Sequence, residues 1–173
     1  RVKAYRLIGY ENRLLNDEDF NDDKKDAGEM GAGHTVTALY ELIPAGSDED
    51  AGSIDPLRYQ TSSSPVRPDP NAELLTVKLR YKQPDGLTSS LYENPVKGQI
   101  LDLSKTSEEF RFSAAIAEFG MILRDSEFKA EASIEQVVQI AQGARGVDEE
   151  GYRAEFIKLV KTADALIELR AEK

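Results

Sequence analysis

The feature that most constrains this chain is a change of apolar period near Ser104. Before it, apolar residues alternate every second position; after it they recur every three or four. Strands pair with strands and amphipathic helices bury a stripe, so an order of strands then helices predicts an α+β fold. The expected architecture is a small antiparallel β-sheet or partial β-sandwich over residues 1–103, packed with a three-helix segment over residues 104–173.

The alternation is clearest at Leu75, Val77, Leu79 and Tyr81 against Thr76, Lys78, Arg80 and Lys82, a half-buried antiparallel strand. Gln83-Pro84-Asp85-Gly86 follows as a turn, with proline presetting φ and glycine tolerating positive φ. The returning strand is expected from about Leu87 to Val96. Earlier strands are expected at Val2–Tyr10 and at His34–Ile43, where Val36, Ala38, Tyr40 and Leu42 share a face. A short last strand is expected near Gln99–Leu103. Residues 44–72 form a connection longer than the usual limit of about 12–15 residues. Ile54, Leu57 and Tyr59 are the apolar residues available to pin it.

Thr106 and Glu109 have capping-box spacing and predict the start of a first helix, with the stripe Phe112, Ala115, Ile116, Phe119 and Leu123. Ser133 caps a second, bearing Ile134, Val137, Val138 and Ala141 and ending near Gly143 or Gly146. Asp148 caps a third, striped by Tyr152, Phe156, Leu159, Val160, Ala163 and Ile167. No internal repeat interrupts this order.

Charge and composition then narrow function. The chain carries 22 basic and 32 acidic residues, a net charge of −10, which argues against nucleic acid or an anionic membrane face as a partner. With no cysteine, disulfides and thiol chemistry are excluded. No apolar run approaches the roughly 20 residues of a membrane span, so membrane insertion by this stretch is not expected. The sequence opens at Arg1 and reads as a fragment of a larger protein.

The densest polar stretch is Glu11–Glu29, with eight acidic and three basic residues. Its candidate metal ligands are Asp17, Asp19, Asn21, Asp22, Asp23 and Asp26, hard oxygen donors suited to calcium. The first three have the spacing that opens an EF-hand loop, but the sixth position is Asp22 where glycine is needed and the twelfth is Gly28 where glutamate is needed. A solvated turn is the favoured reading. Asp102, Ser104 and Thr106 have the spacing of a metal-adhesion motif, but they sit ahead of a helix cap and read as turn plus cap. His34, the sole histidine, follows Gly31-Ala32-Gly33; a general base is conceivable there, and a structural hydrogen-bonding role is favoured. No cofactor is implied.

Tyr5-Arg6-Leu7-Ile8-Gly9-Tyr10-Glu11-Asn12-Arg13, Glu18-Asp19-Phe20, Asp26-Ala27-Gly28 and Gly31-Ala32-Gly33-His34-Thr35-Val36-Thr37-Ala38-Leu39-Tyr40-Glu41 carry a family likeness. Phe110-Arg111-Phe112 with Ala115, and Gly151-Tyr152-Arg153-Ala154-Glu155-Phe156, extend it along the chain. The sequence resembles the C-terminal domain of unknown function that follows a von Willebrand factor type A domain in bacterial envelope proteins, often lipoproteins. That resemblance implies an upstream type A domain with its own metal site as partner, an extracytoplasmic location, and no catalytic residues to carry over. It also suggests that Val2–Tyr10 lacks its natural neighbour and presents an open edge. The function expected is that of a non-enzymatic accessory or interaction module. The alternatives are an independent ligand-binding domain, calcium-dependent through residues 17–29, and a hydrolase using His34.

Overall fold

The structure, a computed structural model, describes residues 2–9, 15–25, 28–45, 47, 73–84, 86–97 and 100–171. It is an α+β arrangement: two two-stranded antiparallel sheets followed by three helices. The chain divides into a unit spanning Arg1–Ile100 and a unit spanning Leu101–Lys173.

In the first unit, strand β1 (Val2–Leu7) pairs with β2 (Tyr40–Pro44), and β3 (Glu73–Tyr81) pairs with β4 (Ser90–Lys97). The first strand therefore has a neighbour within the chain, and its edge away from β2 has no strand paired to it among the described residues. Tyr5 lies opposite Leu42 and Leu7 opposite Tyr40. On the other face Arg6 pairs with Glu41. The alternation at 34–39 does not extend β2, because the ladder ends at Ile8, whose N–H reaches Leu39 O at 2.9 Å. The next residue, Gly9, turns the chain away with φ +81°. Val36 is consequently left exposed. The fourth strand starts at Ser90, later than the expected Leu87. The turn before it closes with Gly86 N–H donating to Gln83 O at 2.8 Å. No strand forms over residues 100–103; Leu103–Lys105 make a single 3-10 turn, and Gln99 lies outside the described residues. So do Ile54, Leu57 and Tyr59.

The second unit holds every buried residue among those described: Phe112, Ala115, Phe119, Ile134, Val137, Ala141, Ala144, Ile157 and Val160. Helix α1 (Glu108–Leu123) is capped by Ser107, whose Oγ accepts from Phe110 N–H at 3.2 Å. Thr106, expected in that role, donates its hydroxyl to Leu103 O at 2.7 Å. The 3-10 turn thus engages Thr106 and moves the helix start by one residue. Helix α2 (Ile134–Gly143) is capped by Ser133 as expected, with Gln136 N–H on its Oγ at 3.2 Å.

Helix α3 (Tyr152–Ala171) receives Asp148 from outside the helix. Its two carboxylate oxygens accept Arg153 N–H at 3.0 Å and Ala154 N–H at 2.8 Å. Arg153 then ties the unit together: its Nη1 donates to Ala144 O at the end of α2 at 2.8 Å, and its guanidinium lies 4.9 Å from the Phe112 ring. Phe156 meets Phe112 and Phe119 edge-on at 5.4 and 5.8 Å.

The stripes shift relative to expectation. Ile157, which lies off the predicted stripe, is buried, whereas Tyr152, Leu159 and Ile167 on α3 and Ile116 and Leu123 on α1 are exposed.

Candidate functional site

The β3–β4 ribbon brings together most of what can recognise a partner. Directly opposed residues share a face. Leu75 opposite Val96, Leu79 opposite Tyr92, and Val77 opposite Asn94 therefore make one face, continued by Tyr81 opposite Ser90. Thr76 opposite Pro95, Lys78 opposite Glu93 and Arg80 opposite Leu91 make the other. Alternation in β3 explains the sorting, and Pro95 fits an edge strand, where a missing donor is tolerated.

The apolar face is open. Val77, Tyr81, Tyr92 and Leu79 are between 41 and 55 % exposed. A two-stranded ribbon with one exposed apolar face is marginal by itself in water.

The polar face carries the acidic stretch. Asp17–Asn21 wind into a 3-10 helix, and residues 17–25 form a strap on the end of the ribbon. Arg80 Nη1 donates to Ser89 Oγ at 2.8 Å, and its Nη2 donates to Asn21 Oδ1 at 3.0 Å. Its guanidinium lies 5.7 Å from the Phe20 ring. Asp23 Oδ1 accepts the Ser89 N–H at 3.1 Å and also the Ser89 hydroxyl. Lys82 Nζ donates to the backbone carbonyl of Asp23. The Ser89 hydroxyl, then the Ser89 amide, hold the Asp23 carboxyl below the usual aspartate range; Lys82 and Arg80 add to this, while desolvation opposes it.

These contacts place most of the candidate metal ligands. Asp23 and Asn21 face the ribbon, and Asp19 pairs with Lys25 at 3.0 Å and accepts from Asn16 Nδ2 at 3.3 Å. Asp22 Oδ1 accepts Lys24 N–H at 2.9 Å. Asp17 and Asp22 are exposed, and Asp26 lies outside the described residues. Among the described residues, no three histidine, aspartate or glutamate side chains are grouped to hold a metal ion. The strap is organised by ribbon donors and its own amides and lysines.

Asp102 Oδ2 takes Lys105 Nζ at 2.7 Å, so the residues of the adhesion-like motif make a turn as expected. His34 is exposed and follows a turn in which its N–H donates to Gly31 O at 3.1 Å. A Cβ at Gly31 would stand 2.6 Å from His34 Nδ1, so the glycine makes room for the ring. The residue that reading the sequence missed is Arg80. Its signal was weak: a lone arginine on the polar side of an alternating strand looks like any solvated residue.

Comparisons with known proteins cover nearly the whole chain. Residues 1–166 match the family described as "Uncharacterized protein YfbK, C-terminal". Over 168 residues the chain is 44 % identical to "Uncharacterized protein YfbK" of Escherichia coli (strain K12), covering 97 % of this chain and 28 % of that protein. The chain thus spans little more than a quarter of the length of the curated relative it matches. No solved structure matches it. With a family match over almost every residue and a relative at this identity, the chain belongs to the YfbK C-terminal domain family.

Proposed function

We propose that this domain is a non-enzymatic interaction module that supports an upstream von Willebrand factor type A domain in a bacterial cell-envelope protein. The observation that carries the reading is the exposed apolar face of the β3–β4 ribbon, formed by Val77, Leu79, Tyr81 and Tyr92 beside half-buried Leu75 and Val96. Covering that face removes apolar surface from water and gives the ribbon the packing partner it needs to be stable. A surface presented by a hydrogen-bonded ladder suits a lasting intramolecular contact. The relative's much greater length supplies room for the domain that would make it.

The test is calorimetry of this chain against the type A domain of the same parent protein, with and without calcium or magnesium. Binding is expected with a negative heat-capacity change, the mark of apolar burial, and is expected to be lost in Leu79→Glu. If there is no binding, and the ribbon exchanges amide hydrogens identically whether or not the two domains are joined, the reading fails. An ion requirement that persists without the type A domain would instead favour calcium-dependent ligand binding by residues 17–29.

A further inference from the structure

Arg80 is held on one edge of its guanidinium by a ligand that does not fill it. Nη1 is used by Ser89 Oγ, and Nη2 by Asn21 Oδ1. Nε is buried and has no acceptor among the described residues. Nε and Nη2 lie along one edge of the guanidinium plane, and a carboxylate fills that edge with two parallel bonds. An amide oxygen fills one position, so Asn21 is a one-point ligand on a two-point seat.

Lys82 has a related shortfall, because its Nζ is spent on a backbone carbonyl. Among the described residues, neither Arg80 nor Lys82 has a carboxylate within ion-pair distance. The direct acceptors of both cations are therefore oxygens of no formal charge, and the Asp23 carboxylate acts on the two cations only through space, beneath a strap that is itself acidic.

We propose that the Arg80–Lys82 edge of the ribbon is a recognition site for a carboxylate-bearing peptide segment of a partner protein. The strap of residues 17–25 is its built-in competitor, seated by Asp23 on Ser89 and by Asn21 on Arg80. The site stands apart from the apolar face assigned above and does not depend on that reading. The chain's net charge of −10 does not forbid an acidic ligand. Charges more than about 10 Å away are largely screened at 0.1 M salt, and the strap shows that acidic sequence can occupy this face.

The probe is a synthetic peptide of residues 16–25 carrying Asn21→Asp, titrated into the 173-residue chain and followed by amide NMR shifts. Signals from strands 73–81 and 90–97 report whether the ribbon of each variant is folded. The peptide is expected to bind the Asp23→Ala chain at least about tenfold more tightly than wild type, because the wild-type site is mostly self-occupied. Arg80→Lys, which keeps the charge and loses the fork, is expected to weaken binding by about tenfold or more. The same peptide with its native Asn21 is expected to bind about tenfold more weakly.

No binding to the Asp23→Ala chain overturns the proposal. So does equal affinity for wild type and Asp23→Ala, or indifference to Arg80→Lys. If Asp23→Ala disturbs the ribbon, Asn21→Asp in the chain itself supplies the reading. It is expected to increase protection of the Ser89 amide from hydrogen exchange, and unchanged or reduced protection overturns the proposal.

Discussion

Two carboxyl groups in the helical unit are shifted in opposite directions, and each shift fixes a sign that experiment can read. Asp148 sits at φ +51° and reaches the amino end of α3, where two backbone amides meet its carboxylate. The bond from the Arg153 amide is the largest influence holding its pKa below the usual 3.8, with desolvation opposing it and the Ala154 amide adding to it. A depressed folded-state value means that the ionised cap stabilises the fold above the unfolded value. That contribution is lost as pH falls through the folded value. Asp148→Asn is therefore expected to lower helix stability at neutral pH and to flatten its fall in acid below the ordinary aspartate value. Helical circular dichroism followed against pH and temperature checks this, and a variant with an unchanged acid profile would contradict it. Glu118 on α1 behaves in the opposite way. Partial burial raises its pKa, and a hydrogen bond from the Ser133 amide opposes the rise only in part. Its Oε1 has no partner among the described residues. A raised folded-state value means that stability is fully present below the unfolded value and is lost as pH rises through the folded one. Glu118→Gln keeps an acceptor for Ser133 and removes the charge. Its melting temperature should exceed wild type at pH 7, and the gain should vanish by about pH 4, near the unperturbed glutamate value.

At the scale of elements, α2 shows how ten residues become a stable helix. A helix this short is not stable by propensity alone, so it relies on its cap and on the burial of Ile134, Val137 and Ala141. Ser133→Ala is expected to cost about 1 kcal/mol in chemical denaturation of the helical unit. Phe119→Ala, which removes a buried ring from the edge-on contact with Phe156, is expected to cost about 3–5 kcal/mol. Ser133 and the α2 stripe were legible in the sequence because each signal is local: a hydroxyl at the cap, then apolar residues at helical spacing. Thr106 misled because its hydroxyl has two possible uses, and the 3-10 turn behind it takes the one that helix capping would need. The large apolar residues of α3 span about two-thirds of its circumference, from Leu169 through Leu166 and Leu159 round to Ile157 at about 100° per residue. Periodicity can locate a band that wide but cannot choose which border is covered. Packing chose the Ile157–Val160 border and left Tyr152 72 % and Leu159 56 % exposed. The site was less legible than the helices. The strap's acidity stood out, but its seat on Arg80, Lys82 and Ser89 joins residues about sixty positions apart, a separation no local pattern reports.

For the whole molecule, the decisive fact is that one unit holds all the described buried core and the other none. Burial of apolar surface is the main force favouring the folded state, so the two units should differ in stability and need not unfold together. The helical unit has capped helices, an aromatic cluster and a continuous core. The ribbons have ladder hydrogen bonds and exposed charge pairs such as Lys78–Glu93 at 2.9 Å, and pairs of that kind contribute about 0–1 kcal/mol each. Native-state hydrogen exchange of this chain should therefore show its strongest protection within residues 108–171, with strands 73–81 and 90–97 exchanging through lower-energy openings. Val137→Ala sharpens the test, because Val137 is fully buried in the helical core. The substitution should lower protection throughout the helices by about 2–3 kcal/mol, the scale of a large-to-small change in a packed core. Protection at Val77, Leu79 and Ser89 should stay the same. If the strands lose protection in step with the helices, the chain unfolds as one cooperative body, and the ribbons draw stability from the helical core. If only the helices respond, the ribbons hold themselves weakly, and covering their apolar face becomes the step that sets their stability.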